Sequence, residues 1–160
     1  MNRTLFILLS TCLISCSEGV SLSPEEVDDW RVKNKQKIEE IVLIFRNDPC
    51  LDRVELGSMR FIDQNCKVTP KLSENISKIQ KLLSALEVVL AAGYRSKDGN
   101  FNVSILLNRK GIAVSGGGLS LEYWERLESP WTKLIECGEM EQLSEKHWYI
   151  HKLQDGPSCY

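Results

Sequence analysis

The chain has 160 residues, with 20 Lys plus Arg against 22 Asp plus Glu, a formal net charge of −2, and 42% hydrophobic residues. That balance argues against a protein that works by neutralising nucleic-acid phosphates or by strong attraction to anionic lipid. The apolar content and the absence of long low-complexity runs exclude a disordered chain, and the length suits one domain with a real core.

The N-terminus carries one cation, Arg3, and then a run from Leu5 to Ile14 interrupted only by Ser10, Thr11 and Cys12. A ten-residue helix spans roughly 15 Å, half of a bilayer core of about 30 Å, so the run is too short for a transmembrane anchor. A charged start, a short apolar middle and small residues at the end make the pattern of a signal peptide. The run closes on Leu13-Ile14-Ser15-Cys16. This tetrad resembles the lipobox of bacterial lipoproteins, and the resemblance covers only about the first 16 residues. It implies that the Cys16 thiol receives a diacylglyceryl group and that residues 1–15 are then removed. Two acyl chains hold a membrane stably where one holds only marginally. Ser17 rather than Asp follows Cys16, which by the family's sorting rule implies the outer membrane in a cell that has two. Ordinary secretion is the competing reading, with Ser17-Glu18-Gly19 as a small-x-small cleavage site. On the lipoprotein reading, residues 16–23 are a lipidated tether and residues 24–160 a single globular domain.

Four of the six cysteines then remain for the domain: Cys50, Cys66, Cys137 and Cys159. An even number in an oxidising compartment points to structural disulfides. Three pairings are open, and Cys50–Cys66 with Cys137–Cys159 is favoured because each pair flanks a short stretch. No Cys-x-x-Cys occurs and no His lies near Cys50 or Cys66, so neither metal nor any other cofactor is expected.

Ser23-Pro24-Glu25-Glu26 predicts a helix start, with Ser23 as cap, Pro24 in the first turn and Glu26 completing a capping box. An apolar stripe of Val27, Trp30, Ile38, Ile41 and Phe45 carries one helix to Asp48-Pro49. Residues 50–69 are expected to be irregular, with extended pieces at Val54–Leu56 and Met59–Ile62. A second helix is predicted from about Ser73 to Ala92, with Ile76, Ile79, Leu83, Leu86 and Leu90 on one face and Gly93 past its end. The period then changes to two. Phe101, Val103, Ile105 and Leu107 predict one strand, with a turn at Asn108-Arg109-Lys110-Gly111 and a further extended piece at Ile112–Val114. Leu119, Leu121 and Tyr123 predict another strand. Ser115-Gly116-Gly117-Gly118 lacks the Lys-Ser/Thr of a phosphate loop and reads as a bulge or connection. Pro130 marks a turn, residues 131–146 fit a loop with one helical turn, and Trp148–Leu153 predicts a last strand. The order gives an α+β fold, with two N-terminal helices packed on one face of an antiparallel sheet of about three to five strands.

His147-Trp148-Tyr149-Ile150-His151 lacks the Glu that a helical zinc motif needs after its first His. As a strand it would put His147, Tyr149 and His151 on one polar-aromatic, exposed face, and Trp148 and Ile150 on the core face. Trp124 and Trp131 bracket an expected exposed loop. Trp124, Trp131, His147, Tyr149 and His151 are therefore the candidate partner-contact residues. No GxSxG elbow is present, and the paired carboxylates read as solvated surface. The expected function is that of a lipid-anchored protein-binding module with an envelope protein as partner, one version being an immunity or inhibitor protein. A structural subunit of an envelope assembly and a cell-envelope hydrolase are the alternatives.

Overall fold

The computed structural model describes residues 22–61, 66–109, 118–129 and 131–153. Cys16 and the lipobox, Ile112–Val114, Ser115–Gly117, Pro130 and Cys159 lie outside the described residues.

The first helix, α1 (Pro24–Lys33), starts as its sequence dictates: the Ser23 hydroxyl accepts from the Glu26 amide at 3.2 Å, and the Glu26 carboxylate accepts from the Ser23 amide at 2.7 Å. The predicted single helix is instead two. Asn34, at φ −107° and ψ 13°, leaves the helix for one residue before α2 (Lys35–Asn47) resumes. Asn favours this break because its side-chain amide donates to the Trp30 carbonyl at 3.0 Å, competing with regular helix bonding. Beyond Asp48-Pro49, the stretch expected to be irregular is a hairpin of β1 (Leu51–Glu55) and β2 (Ser58–Phe61), turned at Gly57 with φ +87°. The Cys50–Cys66 disulfide, with Cα atoms 5.8 Å apart, closes a loop that contains this hairpin. A loop of this size gives roughly 3 kcal/mol in the chain-entropy model.

The third helix, α3 (Pro70–Ala85), begins and ends earlier than the apolar spacing suggests. Thr69 caps it through the Leu72 amide at 3.1 Å, with Pro70 in the first turn. It ends in a Schellman motif: the Val88 amide bonds the Leu83 carbonyl, the Glu87 amide bonds that of Ser84, and Glu87 sits at φ +58°. Leu90 and Gly93, read as helix face and helix terminus, belong to β3 (Leu90–Arg95). Gly93 is needed there for another reason: a Cβ would lie 2.7 Å from Cδ1 of Phe45, so the glycine lets α2 pack onto the strand.

The remaining elements are β4 (Phe101–Arg109), β5 (Gly118–Trp124), α4 (Trp131–Glu136), β6 (Met140–Gln142) and β7 (Trp148–Leu153). Among the described residues the sheet has seven antiparallel strands in the order β2-β1-β3-β4-β5-β7-β6, more than expected because the β1–β2 hairpin, β3 and β6 all join it. The fold is α+β. One sheet face carries Val54, Ala91, Val103, Ile105, Leu121 and Ile150 against Val27, Ile38, Ile41, Phe45, Ile79 and Leu83 of the N-terminal helices, and this is the main core. Helix α4 departs from the expectation that helices take one face. It covers the opposite face at the β5–β7–β6 end, where Leu134 packs with Trp124, Met140 and Tyr149. No helix of the described residues is long and apolar enough to cross a membrane.

Candidate functional site

The C-terminal end of β5 carries two adjacent aromatic residues that strand alternation sends to opposite faces of the sheet. Tyr123 faces the N-terminal helices and Trp124 faces α4. Each borders a concave surface.

On the Tyr123 side, a groove of about 400 Å³ opens between α2 and the β6–β7 turn. Val42, Leu43, Arg46, Tyr123, His147 and Trp148 line it, with Glu39, Glu145 and Lys146 at its rim. Arg46 donates to the Tyr123 hydroxyl at 2.8 Å, and its guanidinium lies 5.4 Å from the Phe101 ring centre and 5.5 Å from that of Tyr123. Cation–π attraction on two faces fixes a long, otherwise floppy side chain. Leu43 is 53% exposed on the same helix. His147 directly precedes β7 at φ +76°, a conformation costly for a residue with a Cβ. The turn sends its ring towards Tyr123, 6.2 Å between centres, and its Nδ1 lies 2.9 Å from the Trp124 carbonyl. That carbonyl can only accept, so Nδ1 carries the proton.

On the other face, the structure brings Trp124, Trp131 and Tyr149 together, with ring centres of the two tryptophans 4.8 Å apart. His151 shares that face, half-buried, two residues along β7 beyond Tyr149 and opposite Ser120 of β5. His147 is not with them, because its left-handed backbone takes it out of the strand's alternation. The face is also less open than the sequence suggests: Trp124 and Tyr149 are buried under α4. Of the expected contact residues, Trp131 and His151 keep partial exposure there and His147 does so in the groove.

At the centre of this second face lies a carboxyl that the sequence reading did not single out. Glu122 is buried, and its Oε1 accepts from both Ser104 and Ser120 at 2.7 Å. Burial pushes its carboxyl up to about 7, against the pull of the Ser120, Ser104 and Asn102 hydrogen bonds. His151 Nδ1 is 3.9 Å away, too far for a hydrogen bond. Burial lowers the His151 pKa, with Glu139 opposing. The two serines thus donate to a carboxyl rather than to an imidazole, which is not the arrangement of an activated nucleophile. Among the described residues no cluster of His, Cys, Asp or Glu is placed to hold a metal.

Glu122, Asn102, Arg46 and Arg31 were not legible as special. A signal did exist for the first two: Trp124 follows Glu122 by two on β5 and so shares its face, which a fully solvated face would not favour. Cys137 is disulfide-bonded, and neither Cys50 nor Cys66 is its partner, since those two are joined to each other. No family model, curated protein or solved structure matches this chain.

Proposed function

We propose that this chain is a lipid-anchored cell-envelope lipoprotein whose domain is a protein-binding module, with the groove between α2 and the β6–β7 turn as the partner's seat. The observation that carries the reading is His147. A histidine held at φ +76° costs the fold stability, and the strain turns its ring into a groove where Arg46 is already fixed against aromatic rings. Strain of this kind collects where a surface is shaped for something else. Leu43 supplies exposed apolar area beside charges of both signs, Glu39 and Glu145 against Arg46 and Lys146. That mixture suits a protein surface better than a small charged ligand. Anchorage through Cys16 rests on the lipobox resemblance and would confine the partner to the envelope, where an immunity or inhibitor role is one form of the activity.

The test is site-specific photocrosslinking in intact membranes, with the probe at position 43 and a control probe at position 89, where Val89 is equally exposed but distant in the fold. A discrete protein adduct from position 43, not from 89, and lost in His147→Gly, is expected. Glycine accepts the positive φ, so this variant removes the ring without straining the chain. Identical adducts from both positions, or none from 43, overturn the proposal.

A further inference from the structure

At the end of the sheet away from the groove, an apolar cleft of about 150 Å³ lies among the start of α1, the end of α3 and the end of β4. Leu22, Val27, Trp30, Val88 and Leu107 line it, with the charged Glu87 among them. Leu22 directly precedes the Ser23 cap of α1, and Val27 is the fourth helical residue. Apolar residues at these two positions form a hydrophobic staple, which fixes the angle at which the chain enters a helix. The segment leading from Cys16 therefore joins the domain at the cleft. The apolar surface continues beyond it. Val89, 54% exposed, follows Val88, and its carbonyl accepts at 3.1 Å from the amide of Leu56, which is 46% exposed.

Two elements run from this end to the groove and fix their separation. Leu107 lines the cleft, whereas Phe101, six residues earlier on β4, lies under the Arg46 guanidinium of the groove. Six strand residues cover about 20 Å. Helix α1 likewise starts at the cleft and delivers Arg31 to Glu145 at the groove's rim, 2.8 Å away. The tether limits how far the lipid can be. Cys16 and Leu22 are six residues apart, a reach of at most about 20 Å when fully extended. An acylated Cys16 thus keeps the cleft end within that distance of the bilayer. Exposed Val89 and Leu56 gain by leaving water, and the half-buried Trp30 is of the residue type that settles at a membrane–water interface. Glu87 is the charged group of the lining, so such a contact rests on apolar burial and not on attraction to anionic headgroups. A patch this small does not hold a membrane alone. A short tether raises its effective concentration to the millimolar range, where a weak contact is populated.

We infer that the cleft end of the domain, with Leu22, Trp30, Leu56 and Val89, is a membrane-contact face that rests on the lipid surface entered by Cys16 and holds the groove away from the bilayer. The inference rests on the lipid-anchor part of the proposed function and adds a docked orientation to it.

The experiment places a photoreactive residue at position 89, 56 or 43 of the full chain in its native membranes and reads each adduct by mass, together with the acyl mass on Cys16. Phospholipid adducts are expected from positions 89 and 56 and not from 43, and they should persist at high salt. Val89→Asp, in the chain probed at position 56, should abolish the lipid adduct there. Position 89 is exposed, so the same variant should keep the thermal melting of the native protein. An acylated chain that gives no lipid adduct from position 89, or equal lipid adducts from 43 and 89, overturns the docked orientation and leaves the anchor standing. Loss of the adducts at high salt overturns the apolar contact. A chain without acyl mass overturns the orientation and the anchor together. A discrete protein adduct from position 89 overturns the lipid assignment and gives this face to a protein partner.

Discussion

A carboxyl such as Glu122 makes the pH dependence of stability readable at a single residue. Its folded pKa of about 7 lies above the ordinary glutamate value of 4.5, so between these pH values the native state binds more protons than the unfolded chain. Stability therefore falls as pH rises through that window and levels off above it. The total effect is on the order of 3 kcal/mol. His151 works in the other direction: burial depresses its folded pKa below 6.5, so the stability it contributes is present above 6.5 and is lost as pH falls through the folded value. Glu122→Gln should remove the first slope and leave the second. The amide oxygen can still accept from Ser104 and Ser120. Urea melts at pH 5 and pH 8 are expected to show the variant more stable than the native protein at pH 8 by roughly 2–3 kcal/mol, and by much less at pH 5. Parallel curves for the two proteins across this range would mean that Glu122 is not the titrating group.

Helix α1 is held by a buried cation more than by its own apolar stripe. Among its residues Val27 and Arg31 are buried. The Arg31 guanidinium reaches Asp28 and Glu145, each at 2.8 Å, and lies 5.6 Å from the Trp148 ring centre. Burial opposes the Asp28 charge, but hydrogen bonds from Ser144 and Arg31 outweigh it and hold the carboxyl low. Hydrogen bonds from Arg31 and then Lys35 do the same for Glu145. Arg31 thus ties α1 to the β6–β7 turn, the same turn that presents His147. Removing one member of a buried charge group costs about 3–5 kcal/mol, because its partners stay behind uncompensated. Glu145 is 42% exposed and can recover water, so Arg31→Ala is expected near 3 kcal/mol in urea denaturation and Glu145→Gln nearer 1. A cost below 1 kcal/mol for Arg31→Ala would show the clamp to be ornamental. The sequence disclosed elements whose signals are local. The Ser23-Pro24-x-Glu26 cap, the Phe101–Leu107 alternation and the Trp148–Leu153 strand each form from neighbours along the chain. It concealed those decided by one residue's backbone. Glu87 ends α3 at φ +58° without a glycine to announce it, so Val88 to Ala92 read as more helix. Asn34 interrupts a helix whose stripe looks continuous. The site was partly visible for the same reason: Trp124 and Trp131, seven apart, were placed together, whereas Glu122 and Asn102 depend on which helix covers the second face. Only the path of α4 decides that.

At the scale of the whole molecule, the sheet divides the domain into two surfaces with different covers. The N-terminal helices bury one face continuously, and α4 covers the other at one end. The Cys50–Cys66 bridge joins the residue before β1 to the approach to α3 and so encloses the β1–β2 hairpin, and Cys137 ties the residue after α4 to a further cysteine. Structural disulfides persist best in oxidising compartments, and the anchor proposed above would deliver the chain to one. The anchor and the bridges can be weighed in one experiment: intact mass of protein extracted from membranes, before and after reduction, for the native chain and for Cys16→Ala. The expected native mass begins at Cys16 and carries acyl chains. Alkylation after reduction should label Cys50, Cys66, Cys137 and Cys159, and non-reducing peptide mapping should join Cys137 to Cys159. The Cys16→Ala protein should lack the acyl mass and leave the membrane fraction, while still showing the Cys50–Cys66 bridge, because that loop folds independently of the tether. A native mass that starts elsewhere, with Cys16 absent or bearing a free thiol, would refute the anchor and leave a secreted domain with the same fold and the same two concave surfaces.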